Sequence, residues 1–193
     1  MKDKRNIVLI GFMGSGKTSI GMKLARALSY EFIDSDCQIE EEQQKTINDI
    51  FAEQGEEAFR RMETELLERL GEKKKRFVLG TGGGMPMREE NAAILKQIGM
   101  VIFLKAGQEE LINRLQNDTT RPLLAASDIR EKVETLYAKR LPVYEAVADY
   151  IMETDGKSFY EMIKEIEELC FPERKRRRGR RKNETITCEW TES

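Results

Sequence analysis

An uninterrupted apolar run, Ile7-Val8-Leu9-Ile10, leads directly into Gly11-Phe12-Met13-Gly14-Ser15-Gly16-Lys17-Thr18, and beyond it Ile20, Leu24 and Leu28 recur at four-residue intervals. The order reads as buried strand, glycine-rich turn and amphipathic helix, which commits the chain to an α/β fold with a parallel sheet. In that context the spacing G-x-x-x-x-G-K-[ST] is a phosphate-binding loop. Its glycines let backbone N–H groups turn inward onto phosphate oxygens, and the N-terminus of the following helix adds partial positive charge. Gly14, Ser15, Gly16, Lys17, Thr18 and Ser19 are therefore nucleotide-binding candidates. Lys17 is expected to reach the β- and γ-phosphates of a nucleotide, and the Thr18 hydroxyl to be a ligand of Mg²⁺.

Five apolar stretches, at 7–10, 31–33, 76–79, 100–104 and 150–153, alternate with helical patterns, which predicts a three-layer α/β/α fold around a five-stranded parallel sheet. The second stretch ends in Asp34-Ser35-Asp36. Ligands of open parallel sheets bind outside the carboxyl ends of the strands, so these acids are expected to face the same cleft as the phosphate loop. Asp34 is placed to help hold Mg²⁺ through water, and Asp36 to accept hydrogen bonds from substrate hydroxyls; capping of the next helix is the other role open to them. Two short helices broken near Lys45-Thr46 come next, and then a longer helix opened by Gly55. Phe59, Met62, Leu66 and Leu70 form its apolar stripe, with Arg60 and Glu63 beside it as a helical ion pair. The third strand runs into Gly82-Gly83-Gly84, where backbone approaches a ligand closely or simply turns.

Residues 117–127 interrupt the regular pattern and read as a mobile lid, with Arg121 as the group that offsets charge on a transferring phosphoryl. Arg114 lies on the helix that precedes it. Farther on, Val133, Tyr137, Arg140 and Tyr144 share one helical face, so the Arg140 guanidinium needs a partner, either an internal carboxylate or an anionic substrate.

Histidine is absent, which excludes Ser–His and Cys–His nucleophiles and His-ligated metals. Any general base is a carboxylate, a lysine or water. Cys37, Cys170 and Cys188 have no metal-like or redox-like spacing and read as reduced thiols. The residues by themselves thus point to a small-molecule kinase and do not name its acceptor.

At 193 residues the chain suits one domain, and its net charge of −2 is unevenly spread. Residues 173–193 carry eight Lys or Arg against four acids, a net +4, which leaves −6 on residues 1–172. The run 174–182 repels itself and has no apolar periodicity, so 173–193 reads as a basic disordered tail on a kinase domain of residues 1–172. No nucleic-acid partner is expected for the core; the tail leaves that question open. The opening Met1-Lys2-Asp3-Lys4-Arg5 is too polar for a signal peptide, and no apolar stretch approaches the roughly 20 residues that span a bilayer. A cytoplasmic monomer without membrane contact is expected.

Taken together, Asp34-Ser35-Asp36, Ile39-Glu40, Ile47-x-x-Ile50-Phe51, Gly55-Glu56, Phe59-Arg60-x-x-Glu63, Gly82-Gly83-Gly84, Arg121-Pro122-Leu123-Leu124 and Arg140-x-x-x-Tyr144 resemble shikimate kinase, in order, over about residues 5–170. The resemblance implies a nucleoside-monophosphate-kinase-like P-loop fold with substrate-binding helices at about 34–63. It implies ATP-dependent phosphorylation of the 3-hydroxyl of shikimate, a step of chorismate and aromatic amino acid biosynthesis. In its terms Asp36 binds the ring hydroxyls and is the general base, while Arg60, Arg140 and the Gly82, Gly83 and Gly84 backbone hold the carboxylate. Glu63 orients Arg60, Arg121 contacts the phosphates and Arg114 lies against adenine. Lys157 stands where the family often has an arginine near the adenine, and the basic tail is foreign to the family core. The competing expectations are a gluconate-type sugar-acid kinase and a P-loop protein that binds nucleotide without catalysis.

Overall fold

The computed structural model describes residues 6–116 and 129–172. The expected lid at 117–127, Arg121 with it, and the expected tail at 173–193 lie outside these residues. Two compact units are distinguished, Met1–Lys157 and Ser158–Ser193.

In the first unit the strands are β1 (Asn6–Ile10), β2 (Glu31–Asp34), β3 (Phe77–Gly80), β4 (Gly99–Lys105) and β5 (Tyr150–Glu153). They form a single sheet in the order β2-β3-β1-β4-β5, and every neighbouring pair is parallel. Ile7, Val8, Leu9 and Ile10 are at most 1% exposed, which explains why β1 is an unbroken apolar run rather than an alternating one. Helices α1 (Lys17–Leu28), α2 (Ser35–Gln43), α3 (Ile47–Gln54), α4 (Glu56–Gly71), α5 (Glu89–Ile98), α6 (Gln108–Gln116) and α7 (Ile129–Val147) connect and cover the sheet.

Val8 and Ile10 point into a core shared with Phe59, Leu66, Leu67 and Leu70 of α4, Leu95 of α5, Leu111 and Leu115 of α6, and Tyr137 and Tyr144 of α7. Packing of α1 onto the strands depends on Gly21: a Cβ there would stand 2.3 Å from the Phe32 ring. Some boundaries differ from the sequence expectation. α2 begins at Ser35, immediately after β2, because the Asp34 side chain caps it directly. β3 extends through Gly80, which is in register with both Leu9 and Asp34.

That register decides where the chemistry lies. β1, β2 and β3 are adjacent and end at one level, so the segments that leave them, 11–16, 35–36 and 81–84, emerge side by side at the carboxyl edge of the sheet.

Of the second unit, α8 (Phe159–Cys170) is described. A reciprocal capping box starts it, in which Ser158 and Glu161 satisfy each other's backbone N–H groups. Among the described residues, no helix is long and apolar enough to cross a membrane.

Candidate active site

The phosphate loop owes its shape to backbone that only glycine adopts easily: Gly14 and Gly16 have φ of 79° and 91°, and Gly16 is the N-cap of α1. The Lys17 ammonium curls back over the loop and donates to the carbonyls of Gly11 at 2.9 Å and Phe12 at 2.8 Å. Ser15 is buried, while Thr18 and Ser19 lie exposed on the first turn of α1. Arg114 of α6 meets the loop from the side, its guanidinium donating to the Gly14 carbonyl at 3.1 Å and to Glu110 at 2.8 Å.

Asp34 serves two elements at once. Its Oδ1 accepts from the N–H groups of Asp36 at 3.1 Å and Cys37 at 3.4 Å, and its Oδ2 accepts from the Thr18 hydroxyl at 2.9 Å. Capping and a position beside the phosphate loop, compatible roles in the sequence, coexist in one carboxylate. A hydroxyl and a carboxylate oxygen side by side, next to a phosphate loop, suit Mg²⁺, which takes few protein oxygens and completes its shell with water and phosphate.

The Gly82–Gly84 turn is the centre of the acceptor side. A Cβ on Gly82 would fall 2.4 Å from Asp36 Oδ1; one on Gly83 would be 3.4 Å from the Arg140 guanidinium; one on Gly84 would lie 2.7 to 2.9 Å from three atoms of the Arg60 guanidinium. Each missing side chain thus makes room for a different polar group. Gly83 also approaches the phosphate loop, since its Cβ would come within 3.5 Å of the Gly11 carbonyl.

Arg60 is gripped by two carboxylates of its own helix, Glu63 and Glu56, each at 2.8 Å. Glu63 is fully buried within the apolar stripe, and its Oε1 has no hydrogen-bond partner among the described residues. Burial pushes its carboxyl up to about 7, against the opposing pull of the Arg60 hydrogen bond and charge. Arg140 lies over the Phe12 ring, 5.9 Å from its centroid, and among the described residues no carboxylate pairs with it. Of the two partners open to Arg140, an internal carboxylate or an anionic substrate, the first is not found among the described residues. Tyr144, one turn later, donates to the Gly83 carbonyl at 2.6 Å; burial pushes its hydroxyl up to about 12, so it remains a donor.

The family model described as shikimate kinase matches residues 13–170. Shikimate kinase of Dictyoglomus turgidum is 44% identical over 166 residues, 84% of this chain and 95% of its own, and that of Thermodesulfovibrio yellowstonii is 42% identical over 169 residues, 86% and 96% of the two chains. The chain belongs to the shikimate kinase family. Among solved structures, shikimate kinase from Acinetobacter baumannii in complex with shikimate is similar with a TM-score of 0.81 and 38% identity, over 88% of this chain and 94% of its own. The shikimate kinase of Aquifex aeolicus gives 0.72 and 34%, over 83% and 93%.

For this family member, then, the fold brings Lys17, Thr18, Asp34, Asp36, Arg60, Gly82, Gly83, Gly84, Arg114 and Arg140 to one edge of the sheet. Lys157 lies in the turn after β5, where its N–H donates to the Thr154 carbonyl at 3.2 Å. That turn is held to the end of β4 by Asp155, which accepts from the Gly107 N–H at 2.8 Å. Residue reading missed Ser35. Its buried hydroxyl accepts from the Gly82 N–H at 2.8 Å and donates to Asp36 at 3.3 Å, so one side chain sets both the turn and the acid. The signal was present in Asp34-Ser35-Asp36, where a small hydroxyl stands between the two acids.

Proposed function

We infer that this shikimate kinase transfers the γ-phosphoryl group of ATP to the 3-hydroxyl of shikimate, a step of chorismate and aromatic amino acid biosynthesis, and that the cluster around Gly82–Gly84 is where it does so. The observation that carries the site assignment is the trio of missing Cβ positions, which sets the Asp36 and Glu63 carboxylates and two guanidiniums against a single turn beside the phosphate loop. A hydroxylated carboxylic acid needs this set. Two guanidiniums take its carboxylate through charge-assisted hydrogen bonds, and an aspartate receives a hydroxyl.

In this reading Arg60 and Arg140, with the turn's backbone, hold the shikimate carboxylate, and Asp36 accepts the hydroxyl proton as the oxygen attacks. The Gly14, Ser15 and Gly16 backbone and the Lys17 ammonium bind the phosphates, and Arg114 and Lys157 flank the adenine. Thr18 directly, and Asp34 through water, would hold Mg²⁺, which would supply charge neutralisation to the nucleotide phosphates. Arg121 closes over the transferring group from the lid at 117–127. The protein acts as a cytoplasmic monomer on small-molecule substrates, and its working domain is residues 1–172. A coupled ADP-release assay run with shikimate, with gluconate and without acceptor tests the assignment. Release that depends on shikimate alone is the expected result, and release indifferent to shikimate refutes it.

A further inference from the structure

A buried polar chain, separate from the residues assigned so far, joins α4, α5 and the backbone just after Gly84. Asn91 of α5 is 0% exposed and Thr64 of α4 is 9% exposed. Asn91 Nδ2 donates to the Met85 carbonyl at 3.2 Å, and the Thr64 hydroxyl donates to Asn91 Oδ1 at 2.7 Å while lying 3.1 Å from the Arg60 carbonyl. The amide orientation follows from its partners: the Met85 carbonyl accepts only, so it takes the N–H, which leaves Oδ1 to the hydroxyl. A solvent-excluded amide engaged at both ends is costly to disturb, because either end left unmatched loses a partner that water cannot replace.

The placement of this chain gives it a purpose beyond holding two helices together. Thr64 stands one helical turn after Arg60, and Met85 directly follows Gly84, the residue that lies against the Arg60 guanidinium. The amide therefore bridges the helix that carries one anion-binding group and the turn that the same group faces. Ser35 and Tyr144 fix the turn at the Gly82 N–H and the Gly83 carbonyl; Asn91 fixes its exit at Met85. With all three in place, the gap between the guanidinium and the turn is set by side chains packed behind it.

We propose that Thr64 and Asn91 are positioning residues for the acceptor carboxylate, setting the distance between Arg60 and the Gly82–Gly84 turn. The proposal rests on the shikimate-binding reading of that turn. Residues that only stabilise the fold alter thermal stability and leave the Michaelis constants alone, whereas this pair acts on one substrate and spares the other.

The test compares wild type, Thr64→Val, Thr64→Ser and Asn91→Leu in steady-state kinetics with both substrates varied. Thr64→Val, which keeps the shape and removes the hydroxyl, is expected to raise the KM for shikimate about tenfold and leave that for ATP within about twofold. Thr64→Ser restores the hydroxyl and the wild-type KM, and Asn91→Leu follows Thr64→Val in direction. An unchanged shikimate KM in Thr64→Val, an equal rise for both substrates, or failure of Thr64→Ser to rescue overturns the proposal. So does a Thr64→Val protein that does not fold, since the chain is then a buttress of the fold. Wild type lacking shikimate-dependent ADP release defeats the functional reading instead, which keeps the two failures distinct.

Discussion

Replacing Gly82 with Ala separates geometry from stability at this site. Gly82 is buried but does not have positive φ, so alanine adopts its backbone without strain. The added Cβ would stand 2.4 Å from Asp36 Oδ1 and 3.3 Å from Glu63 Oε1, where ordinary contact begins near 3.4 Å, so the Asp36 carboxylate must retreat by about 1 Å while Glu63 needs only about a tenth of that. It yields as the end of a side chain, and the Gly82 N–H keeps its bond to Ser35. The cost in stability is therefore small, on the order of 1 kcal/mol, or about 2–4 °C in Tm for a chain of this size. The cost in rate is not. A displacement of about 1 Å at a reacting group is worth about a hundredfold, or ~2.7 kcal/mol on the barrier. Steady-state kinetics with both substrates saturating, beside a thermal melt, should show kcat down about a hundredfold and Tm lower by only about 2–4 °C. A folded Gly82→Ala enzyme with kcat within about threefold of wild type would falsify the placement of the base at Asp36.

Glu63→Gln tests the buried acid of α4. The folded carboxyl sits at about 7 against an ordinary 4.5, so between those values the native state keeps a proton that the unfolded chain has released. Stability from this group is therefore lost as pH rises through that window, and Glu63→Gln should flatten the decline in Tm between about pH 4.5 and 7; parallel curves for the two proteins contradict the assignment. Arg140→Ala should raise the KM for shikimate by about ten- to a hundredfold, the worth of charge-assisted hydrogen bonds, with the KM for ATP little changed. The reverse pattern, lost ATP affinity with an intact shikimate KM, sinks its placement on the acceptor side. Truncation after Pro172 should leave kcat within about twofold, and a larger loss assigns the basic segment a part in catalysis or folding.

What was legible in the sequence was what local pattern controls. The P-loop declared itself through spacing and flanks, and the helices and strands through periodicity, because each is decided within about ten residues. Arg60 and Glu63 were legible as a pair, since three-residue spacing on a helix makes them neighbours. That Glu63 is buried, with an oxygen unpartnered among the described residues, was not, because it depends on what α4 packs against. Ser35, Thr64 and Asn91 escaped for the same reason: a buried hydroxyl or amide is recognised by partners far away in sequence, 27 residues away for Thr64 and Asn91 and 47 for Ser35 and Gly82.

The triple glycine shows where the two kinds of information meet. Sequence offered three glycines after a strand, and a flexible turn or a close approach to ligand were both open. Strand order resolves the ambiguity. Because β3 lies between β2 and β1, its outgoing turn passes between Asp36 on one side and the phosphate loop on the other, with α4 and α7 bringing Arg60 and Arg140 against it. Each glycine then answers to a different neighbour, Asp36, Arg140 and Arg60 in turn, so the three substitutions by alanine should not share a phenotype. Position 82 displaces the acid and 84 crowds a guanidinium. Position 83 meets only ordinary contacts, at 3.4 to 3.6 Å, and it should be the mildest of the three. A loop glycine-rich for flexibility alone would respond alike at all three positions, and that uniform response is what this arrangement forbids.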